Sequence, residues 1–254
     1  MPKMNEHPTD VSISVITATY NASSVLPDLL DSLLKQTDQR FEWVVVDGAS
    51  TDKTVKLVEN CKLGNVNLLS EKDCGIYDAL NKGVERASGD YYLVVGADDI
   101  LFPNAIADFK KAVSDKRCDL VASHVIVDQT VVKPQSGKGW LKGLHGETSG
   151  HAVSLLIRKS LHQQYGLYKT PYRICADQHF VLSAINANAS IARVGFISGK
   201  YSVDGFSAQD VLGSLLEGFR VKVSVYGFKF SLLAFFILKL FKNYNRIKKS
   251  LKCP

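Results

Sequence analysis

The chain has 254 residues, of which 46% are hydrophobic and 22% are charged, with a formal net charge of +6. This length and composition suffice for a full hydrophobic core, which argues against disorder and fits one large domain or one domain with an appendage. The five cysteines are scattered and form no CxxC pair, so we expect neither a disulfide framework nor a zinc site, and a reducing cytosol fits best.

The excess positive charge is confined to one end of the chain. Residues 226–254 contain seven basic side chains and no acidic ones, whereas residues 1–225 are close to neutral. Because the surplus lies in a short apolar segment and not across a broad surface, no nucleic-acid partner is expected. Residues 1–10 form a polar extension that lacks the apolar run of a signal peptide.

The first hundred residues alternate apolar runs with amphipathic segments. Strands are predicted from VSISVITATY (11–20), FEWVVVDGAS (41–50), NVNLLSE (65–71) and residues 91–95. Helices are predicted after each of the first three runs, the first capped by Ser23 or Ser24 and the second by Thr51 and Asp52. Strands separated by single helices indicate parallel pairing through right-handed crossovers, and therefore an α/β sheet flanked by helices.

The pattern is weaker beyond residue 104. Residues 104–113, 176–187 and 207–225 predict helices, residues 120–127 predict a strand, and AVSLLIRKSL (152–161) predicts a strand followed by a helix. Residues 128–150 are rich in glycine, lysine and serine without periodicity, which predicts a mobile loop.

Polar side chains follow several of the predicted strands. Ligands of such sheets bind beyond the carboxyl ends of the strands, where Thr19, Tyr20 and Asp47 are joined by the adjacent pair Asp98 and Asp99. A lone pair of acids can simply cap a helix or face solvent. Here the small residues before the pair let a ligand approach the backbone, and paired carboxylates suit a divalent cation that holds phosphates.

Three ordered segments carry a family resemblance: SVITATYN, VVVDGASTDKT and EKDCGIYDALNKGVERASGDYYLVVGADD. They resemble the N-terminal half of family 2 glycosyltransferases, which have the GT-A fold, a Rossmann-like and mostly parallel sheet. The match covers about residues 12–104 and continues more weakly to about 207. The block EKDCGIYDALNKG resembles a branch found in exopolysaccharide synthesis, including colanic-acid-type clusters.

The resemblance implies a UDP- or GDP-activated sugar at this edge of the sheet. It implies these donor-binding residues: Thr17, Ala18, Tyr20, Asp47, Asp78, Lys82, Ala97 and Asp98. It also implies that Asp98 is the metal-contacting aspartate of the family's DxD motif, with Asp99 beside it, for Mg²⁺ or Mn²⁺. Such a cation stabilises the negative charge that develops on the leaving diphosphate.

The sequence departs from the family pattern at two positions. The first DxD position is Gly96, so metal binding is expected to depend more on Asp98 and its neighbour. Where many relatives have Ala-Arg-Asn-x-Gly, this chain has ALNKG at residues 79–83. Leu80 therefore replaces a candidate diphosphate-binding arginine, for which Lys72 or Lys82 is a substitute.

Inverting transfer also needs a general base for the acceptor hydroxyl. Asp177, in YRICADQHFVLSA, matches the family's catalytic aspartate, although an acid at a helix start is also favoured by the helix dipole alone. The resemblance makes His151 a candidate that binds the metal, contacts the diphosphate or orients the acceptor, against an ordinary structural role. His124 and His179 are interpreted as structural, and residues 204–207 correspond to a segment that closes over the donor.

The C-terminal segment FKFSLLAFFILKLFKNYNRIKKSLKCP has nine residues, 230–238, as its longest run without charge. A transmembrane helix needs about 20. Large apolar residues interspersed with lysines favour a helix in the membrane interface, held on the cytoplasmic face by anionic headgroups. The alternative is a helix packed on the catalytic domain or on the second subunit of a homodimer.

These patterns divide the chain into an extension (1–10), a catalytic domain (11–206) and a helical, membrane-associating tail (207–254). The domain is split into a nucleotide-sugar half (11–104) and an acceptor half (105–206). The expected activity is metal-dependent, inverting transfer of a sugar to a lipid-linked polysaccharide intermediate. A nucleotidyltransferase and a non-catalytic sugar-nucleotide-binding subunit are the alternatives; the first would need a basic, glycine-rich triphosphate loop, which TATYNASS is not.

Overall fold

The structure is a computed structural model that describes residues 11–202 and 210–250. Its strands are β1 (Ile13–Thr19), β2 (Glu42–Asp47), β3 (Val66–Ser70), β4 (Tyr91–Val94), β5 (Ile100–Leu101), β6 (Leu120–Val127), β7 (Thr130–Val132), β8 (Leu155–Arg158) and β9 (Ile191–Tyr201). Its α-helices are α1 (Leu26–Leu34), α2 (Thr54–Glu59), α3 (Ile76–Arg86), α4 (Ala105–Lys116), α5 (Gly139–Lys142), α6 (Leu161–Tyr165), α7 (Ala176–Asn186), α8 (Val211–Tyr226), α9 (Phe230–Lys242) and α10 (Tyr244–Ser250). The predicted extension at 1–10 and the donor-closing segment at 204–207 lie outside the described residues.

One mixed sheet has the strand order β3-β2-β1-β4-β8-β6-β9-β5, with β7 beside β6. The first four strands pair in parallel, whereas β8 runs antiparallel to both β4 and β6. The carboxyl ends of β1, β2 and β4 therefore meet at one edge. This arrangement confirms the α/β class, and the division into halves near residue 104 stays a prediction.

Both faces of the parallel strands are covered. Successive side chains of a strand point to opposite faces, so Val45 packs in the layer that contains Leu29 of α1, while Val44 and Val46 pack in the layer that contains Leu80 of α3. Strands buried on both sides read as continuous apolar runs. This burial explains why β1, β2 and β4 were visible in the sequence.

The start of α1 differs from the prediction. The helix is preceded by Val25 and has no side-chain cap, with a proline in its first turn. The amide of Ser23 instead donates to the carboxylate of Asp52, at 3.0 Å. The prediction that Ser23 or Ser24 caps this helix is therefore wrong, because the preceding loop is tied to the start of α2.

Residues 128–150 are ordered by long-range contacts, so the prediction of a mobile loop is wrong. They contain β7, α5 and a 3-10 turn at Gly143–Gly146. Glu147 is buried and accepts hydrogen bonds from the amide of Gly139, at 2.9 Å, and from the Nη2 of Arg193 on β9, also at 2.9 Å. A buried acid that bonds glycine amides leaves no periodic trace in a sequence.

The tail consists of α8, α9 and α10. Along residues 11–202 and 210–250, no helix combines the length and the apolarity that crossing a bilayer requires. One side of α9 packs on α8, where Phe236 stacks on Phe219 with ring centroids 4.6 Å apart. The opposite side leaves Phe230 83% exposed and Phe241 75% exposed. One face of α9 thus packs on the rest of the protein, which is what the alternative to membrane binding predicted. The other face is apolar and exposed to solvent.

Replacing Glu147 by Gln should lower the free energy of unfolding by about 1–3 kcal/mol, because Arg193 loses its charged partner in a buried setting. Urea denaturation monitored by circular dichroism measures this change. Glu85→Gln, on the exposed side of α3, is the matched control and should change stability little. Equal unfolding midpoints for the two variants would show that Glu147 does not hold this segment.

Candidate active site

The turn after β4 separates the two adjacent aspartates. Asp99 is 3% exposed, and its carboxylate accepts hydrogen bonds from the amides of Gly96 and Ser202, both at 3.0 Å. Burial raises the pKa of Asp99 to about 6. Both oxygens are therefore used to join the end of β4 to the end of β9. The expectation that Asp99 is a metal ligand is corrected, because its side chain faces the protein interior.

Asp98 remains partly exposed at the same turn. A Cβ atom on Gly96 would lie 2.9 Å from Oδ1 of Asp98 and 3.0 Å from Oδ2 of Asp99. Glycine thus leaves the space that both carboxylates occupy, which is a physical reason for the departure from the DxD pattern. Asp98 is the carboxylate of the pair that stays available at the carboxyl edge.

His151 lies near this turn because its ring contacts the ring of Tyr201. The two rings are 4.2 Å apart, and Tyr201 precedes Ser202, which bonds Asp99. Burial lowers the pKa of His151 to about 4, so the imidazole is neutral at pH 7 and has a nitrogen lone pair. Among residues 11–202 and 210–250, no three His, Cys, Asp or Glu side chains are grouped so that they could hold a metal ion.

The donor-binding residues predicted in and just after β1 differ in exposure: one is buried and two are at least partly exposed to solvent. Thr17 is fully buried and accepts a hydrogen bond from the indole of Trp43 at 3.1 Å, so its side chain belongs to the core. Ala18 is partly exposed, and Tyr20 is 67% exposed. The ring of Tyr20 borders Gly48, where an added Cβ would lie 3.4 Å from Cδ2 of the ring.

Asp73, which the sequence did not single out, lies at the same point. A Cβ on Gly48 would be 2.6 Å from its Oδ2, and its Oδ1 accepts from the amide of Gly75 at 2.9 Å. Tyr20, Gly48 and Asp73 therefore form a small rim beyond β1 and β2. The residue stands inside the segment EKDCGIYDALNKG, which is the signal that could have identified it.

Asp47 is fully buried at the end of β2. Although burial opposes ionisation, hydrogen bonds from Ser50, Ser70 and Thr19 hold the pKa of its carboxyl below the usual range. The Ser50 amide and the Ser70 hydroxyl both donate at 2.8 Å. The carboxylate thus joins the loop after β2 to the end of β3, and its direct contact with a donor stays a prediction.

Lys82 and Asp78 are paired with each other on α3. The Nζ of Lys82 lies 2.8 Å from Glu71 and 3.2 Å from Asp78, and Asp78 also accepts from the amide of Cys74 at 3.0 Å. Leu80, at the position of the missing arginine, is buried. Lys82, one of the two candidate substitutes for that arginine, is therefore already engaged by two carboxylates. Ala97 leaves a small, partly exposed side chain next to Asp98.

Asp177 lies in the first turn of α7 and contacts Tyr77 of α3. The Tyr77 hydroxyl is 2.7 Å from Oδ1 of Asp177 and 2.6 Å from the carbonyl oxygen of Ile174. A phenol has one hydrogen, so the Tyr77 hydroxyl donates either to the carboxylate or to that carbonyl. Burial raises the pKa of Asp177, and the hydrogen bond that Tyr77 donates opposes this rise.

Glu217 of α8 holds the loop that precedes Asp177. Its carboxylate accepts hydrogen bonds from the amides of Arg173 and Ile174, both at 2.8 Å, and of Cys175, at 3.0 Å. Three backbone donors on one acid fix the entry into α7. Sequence patterns could not identify this residue, because the bonds join positions about forty apart in the chain.

The structure is thus a mostly parallel α/β sheet flanked by helices, with Asp98 at its carboxyl edge and Asp177 at a helix start. Residues 14–179 match the family model described as Glycosyl transferase family 2. The chain belongs to this family and is a glycosyltransferase.

Relatives and solved structures agree with that family. The chain is 33% identical over 185 residues to a PGL/p-HBAD biosynthesis glycosyltransferase of Mycobacterium bovis (strain BCG / Pasteur 1173P2), covering 71% of this chain and 72% of the relative. S. aureus TarS 1–349 superposes with a TM-score of 0.65 at 20% identity, over 96% of this chain and 75% of that one. The mannosyltransferase PcManGT from Pyrobaculum calidifontis, in complex with GDP-Man and Mn2+, gives 0.66 at 18% identity, over 94% and 77%. These two likenesses show the fold.

Replacing Tyr77 by Phe should raise the pKa of Asp177 further, because the ionised carboxylate loses a charge-assisted hydrogen bond. Carbon-13 NMR titration of the labelled aspartate carboxyl groups measures this shift. Tyr165→Phe, whose ring packs against Phe180, is the matched control. A pKa that is unchanged, or lower, in Tyr77→Phe would contradict the proposed hydrogen bond.

Proposed function

We propose that the protein is a metal-dependent, inverting glycosyltransferase that moves a sugar from a UDP- or GDP-activated donor to a lipid-linked saccharide. The observation that carries this proposal is the separation of Asp98, open at the edge of the sheet, from Asp99, which is buried in the turn. Similar folds support the donor class, since one is TarS in complex with UDP-GlcNAc and another is PcManGT in complex with GDP-Man and Mn2+.

The residues present fit a divalent cation with an incomplete protein shell. Asp98 would hold Mg²⁺ or Mn²⁺ through a carboxylate oxygen, and His151 is neutral and close to the same turn. Because these ions take about six ligands, most of the shell is left for the diphosphate of the donor and for water. When bound, the ion supplies positive charge beside the leaving diphosphate.

Asp177 is assigned as the general base. Its carboxylate takes the proton of the acceptor hydroxyl while that oxygen attacks the anomeric carbon, and the bond from that carbon to the diphosphate oxygen breaks on the opposite side. One such displacement inverts the anomeric configuration. Tyr77 donates to the ionised carboxylate before the transfer and accepts from the protonated one afterwards, when its own proton satisfies the carbonyl of Ile174.

The donor's nucleoside is assigned to the rim formed by Tyr20, Gly48 and Asp73. Tyr20 offers an exposed aromatic face, and Asp73 offers a carboxylate within reach of Gly48. Ala18 and Ala97 leave room at the strand ends beside them. For Lys82 to meet the diphosphate, its ion pairs with Glu71 and Asp78 must open, which is a small cost for partly exposed pairs.

Peripheral attachment to the cytoplasmic face of a membrane is assigned to the outer face of α9. Phe230 and Phe241 lie on this face with Leu238, and the basic residues of α9 and α10 favour anionic headgroups. A lipid-linked acceptor gives the enzyme a reason to lie there, and exopolysaccharide synthesis is one setting for such acceptors.

Changing Phe230 and Phe241 together to Ser should release the protein from vesicles that contain phosphatidylglycerol, since two exposed rings lose their apolar contact with lipid. Co-sedimentation measures the bound fraction. Leu167→Ser removes an exposed apolar side chain that is distant in sequence from the tail, and this control should leave the bound fraction unchanged. Equal sedimentation of all three proteins would remove the membrane assignment.

Two conservative substitutions should separate donor binding from transfer. Asp98→Asn should weaken Mn²⁺-dependent donor binding by about tenfold or more, because a charged ligand of the ion is lost. Asp177→Asn should keep donor affinity and slow transfer by roughly 10²- to 10⁴-fold. Calorimetry with a panel of UDP- and GDP-sugars measures binding, and nucleotide release measures transfer.

Each substitution serves as the control for the other, since both remove one carboxylate charge and keep the side-chain shape. Equal donor affinity in the wild-type protein and Asp98→Asn would contradict the metal assignment. Full transfer by Asp177→Asn would contradict the base assignment.

A further inference from the structure

A cationic cavity lies beside the N-terminus of α7, enclosed by α5, α7, α8, α9 and the 3-10 turn at Gly143–Gly146. Its volume is about 170 Å³. Four of the side chains that line it are basic: Lys142, His145, Lys222 and Lys239. No acidic side chain of the described residues lines it.

Lys222 is the most informative of these residues. It is 7% exposed, and it makes no hydrogen bond or ion pair with any residue within 11–202 and 210–250. Burial, with a further contribution from Lys239, lowers the pKa of Lys222 to about 8, so the ammonium is still mostly charged at pH 7. A largely buried lysine without a protein partner for its ammonium is unfavourable, and an anion in the cavity would relieve it.

The nearby acids are committed elsewhere. Glu217, also on α8, is bonded to the amides of Arg173, Ile174 and Cys175, and Asp177 is bonded to Tyr77. Lys142 and Lys239 add positive charge from the surrounding elements. Burial, with a further contribution from Lys239, lowers the pKa of His145, so its imidazole is neutral at pH 7 and serves as a hydrogen-bonding group. The cluster therefore favours a bound anion of more than one charge.

The cavity is also apolar on one side. The inner face of α9 contributes Leu232, Phe235 and Phe236, and its outer face exposes Phe230, Leu238 and Phe241. The anion site thus lies directly beneath the helix face assigned to the membrane. Cys175 and Gln178, which also line the cavity, flank Asp177 in the sequence, so the bound group would lie next to the assigned base.

We propose that this cavity binds the phosphate of a lipid phosphate monoester or diphosphate, with the first carbons of the chain against Phe235 and Phe236. This inference rests on the proposed function, in which such a lipid carries the saccharide acceptor. Lys222 and Lys239 bind the phosphate oxygens, and the saccharide end is directed towards Asp177. Inorganic phosphate and a phospholipid headgroup share the anionic chemistry, and the test distinguishes them.

The experiment is calorimetric titration of the full chain, without nucleotide sugar or metal, with geranyl phosphate, geraniol, inorganic phosphate and dihexanoyl phosphatidylglycerol. Geranyl phosphate should bind at least about tenfold more tightly than the other three. Lys222→Met should weaken that binding by about tenfold or more, because a charge-assisted contact is lost while the side-chain volume is kept. Lys242→Met, on the same helix as Lys239 but exposed and outside the cavity, is the matched control.

Thermal unfolding accompanies the titrations. Since Lys222→Met removes an enclosed, unpaired charge, its melting temperature should equal or exceed that of the wild-type protein, which separates lost binding from lost folding. Equal affinity of geranyl phosphate for Lys222→Met and wild type would overturn the proposal. Equally tight binding of inorganic phosphate or of the phosphatidylglycerol would also overturn it, in favour of a general anion site or a headgroup site.

The outcome is independent of the transferase assignment. A wild-type protein that binds geranyl phosphate as described, yet binds no nucleotide sugar with Mn²⁺, would refute the proposed function and support the lipid-phosphate site. A protein that binds a nucleotide sugar but not geranyl phosphate would overturn the site and leave the transferase assignment standing.

Discussion

The buried carboxylate of Asp99 is the contact on which the geometry of the site depends. It takes the amide of Gly96 on one oxygen and the amide of Ser202 on the other, and so joins β4, from the parallel half of the sheet, to β9, from the mixed half. Hydrogen bonds from backbone amides to a carboxylate are among the stronger ones in proteins. The preceding residue, Asp98, stays partly exposed at the carboxyl edge.

A second carboxylate, that of Glu217, fixes the backbone next to Asp177 in a similar way. Glu217 binds three consecutive amides before α7, and the helix that carries it also carries Lys222 of the cationic cavity. Asp177, the cavity and the tail are therefore parts of one packed unit. A tail that settles on a membrane would keep its orientation relative to the assigned base, which suits an acceptor presented from a lipid surface.

The sequence predicted the parts of this molecule that repeat locally. Strands β1 to β4 and their helices follow from apolar runs and helical periodicity. The family motifs drew attention to Asp98 and Asp177, whose roles in the site stay predictions. Strand β9 was missed because glycines interrupt its pattern. One of them, Gly199, permits a close approach to β5, since a Cβ there would lie 2.1 Å from the carbonyl oxygen of Ile100.

The remaining differences come from contacts between distant residues. Nothing in the letters DD tells which aspartate turns inward, because the partner of Asp99 is the amide of Ser202. Thr17 lies within β1 and Asp47 ends β2, and the sequence does not reveal that Trp43 and Ser70 bond their side chains from neighbouring strands. The sequence around Lys222 is typical of a surface lysine, and only the packing of α9 shows that it is buried.

The most direct test of the account is a crystal structure of the protein with MnCl₂ and UDP or GDP, recorded with anomalous scattering from manganese. The account predicts one strong manganese peak within coordination distance of an Asp98 oxygen and of the diphosphate, with Asp99 still bonded to Gly96 and Ser202. A peak on Asp99, or a nucleotide bound with its diphosphate away from Asp98, would contradict it.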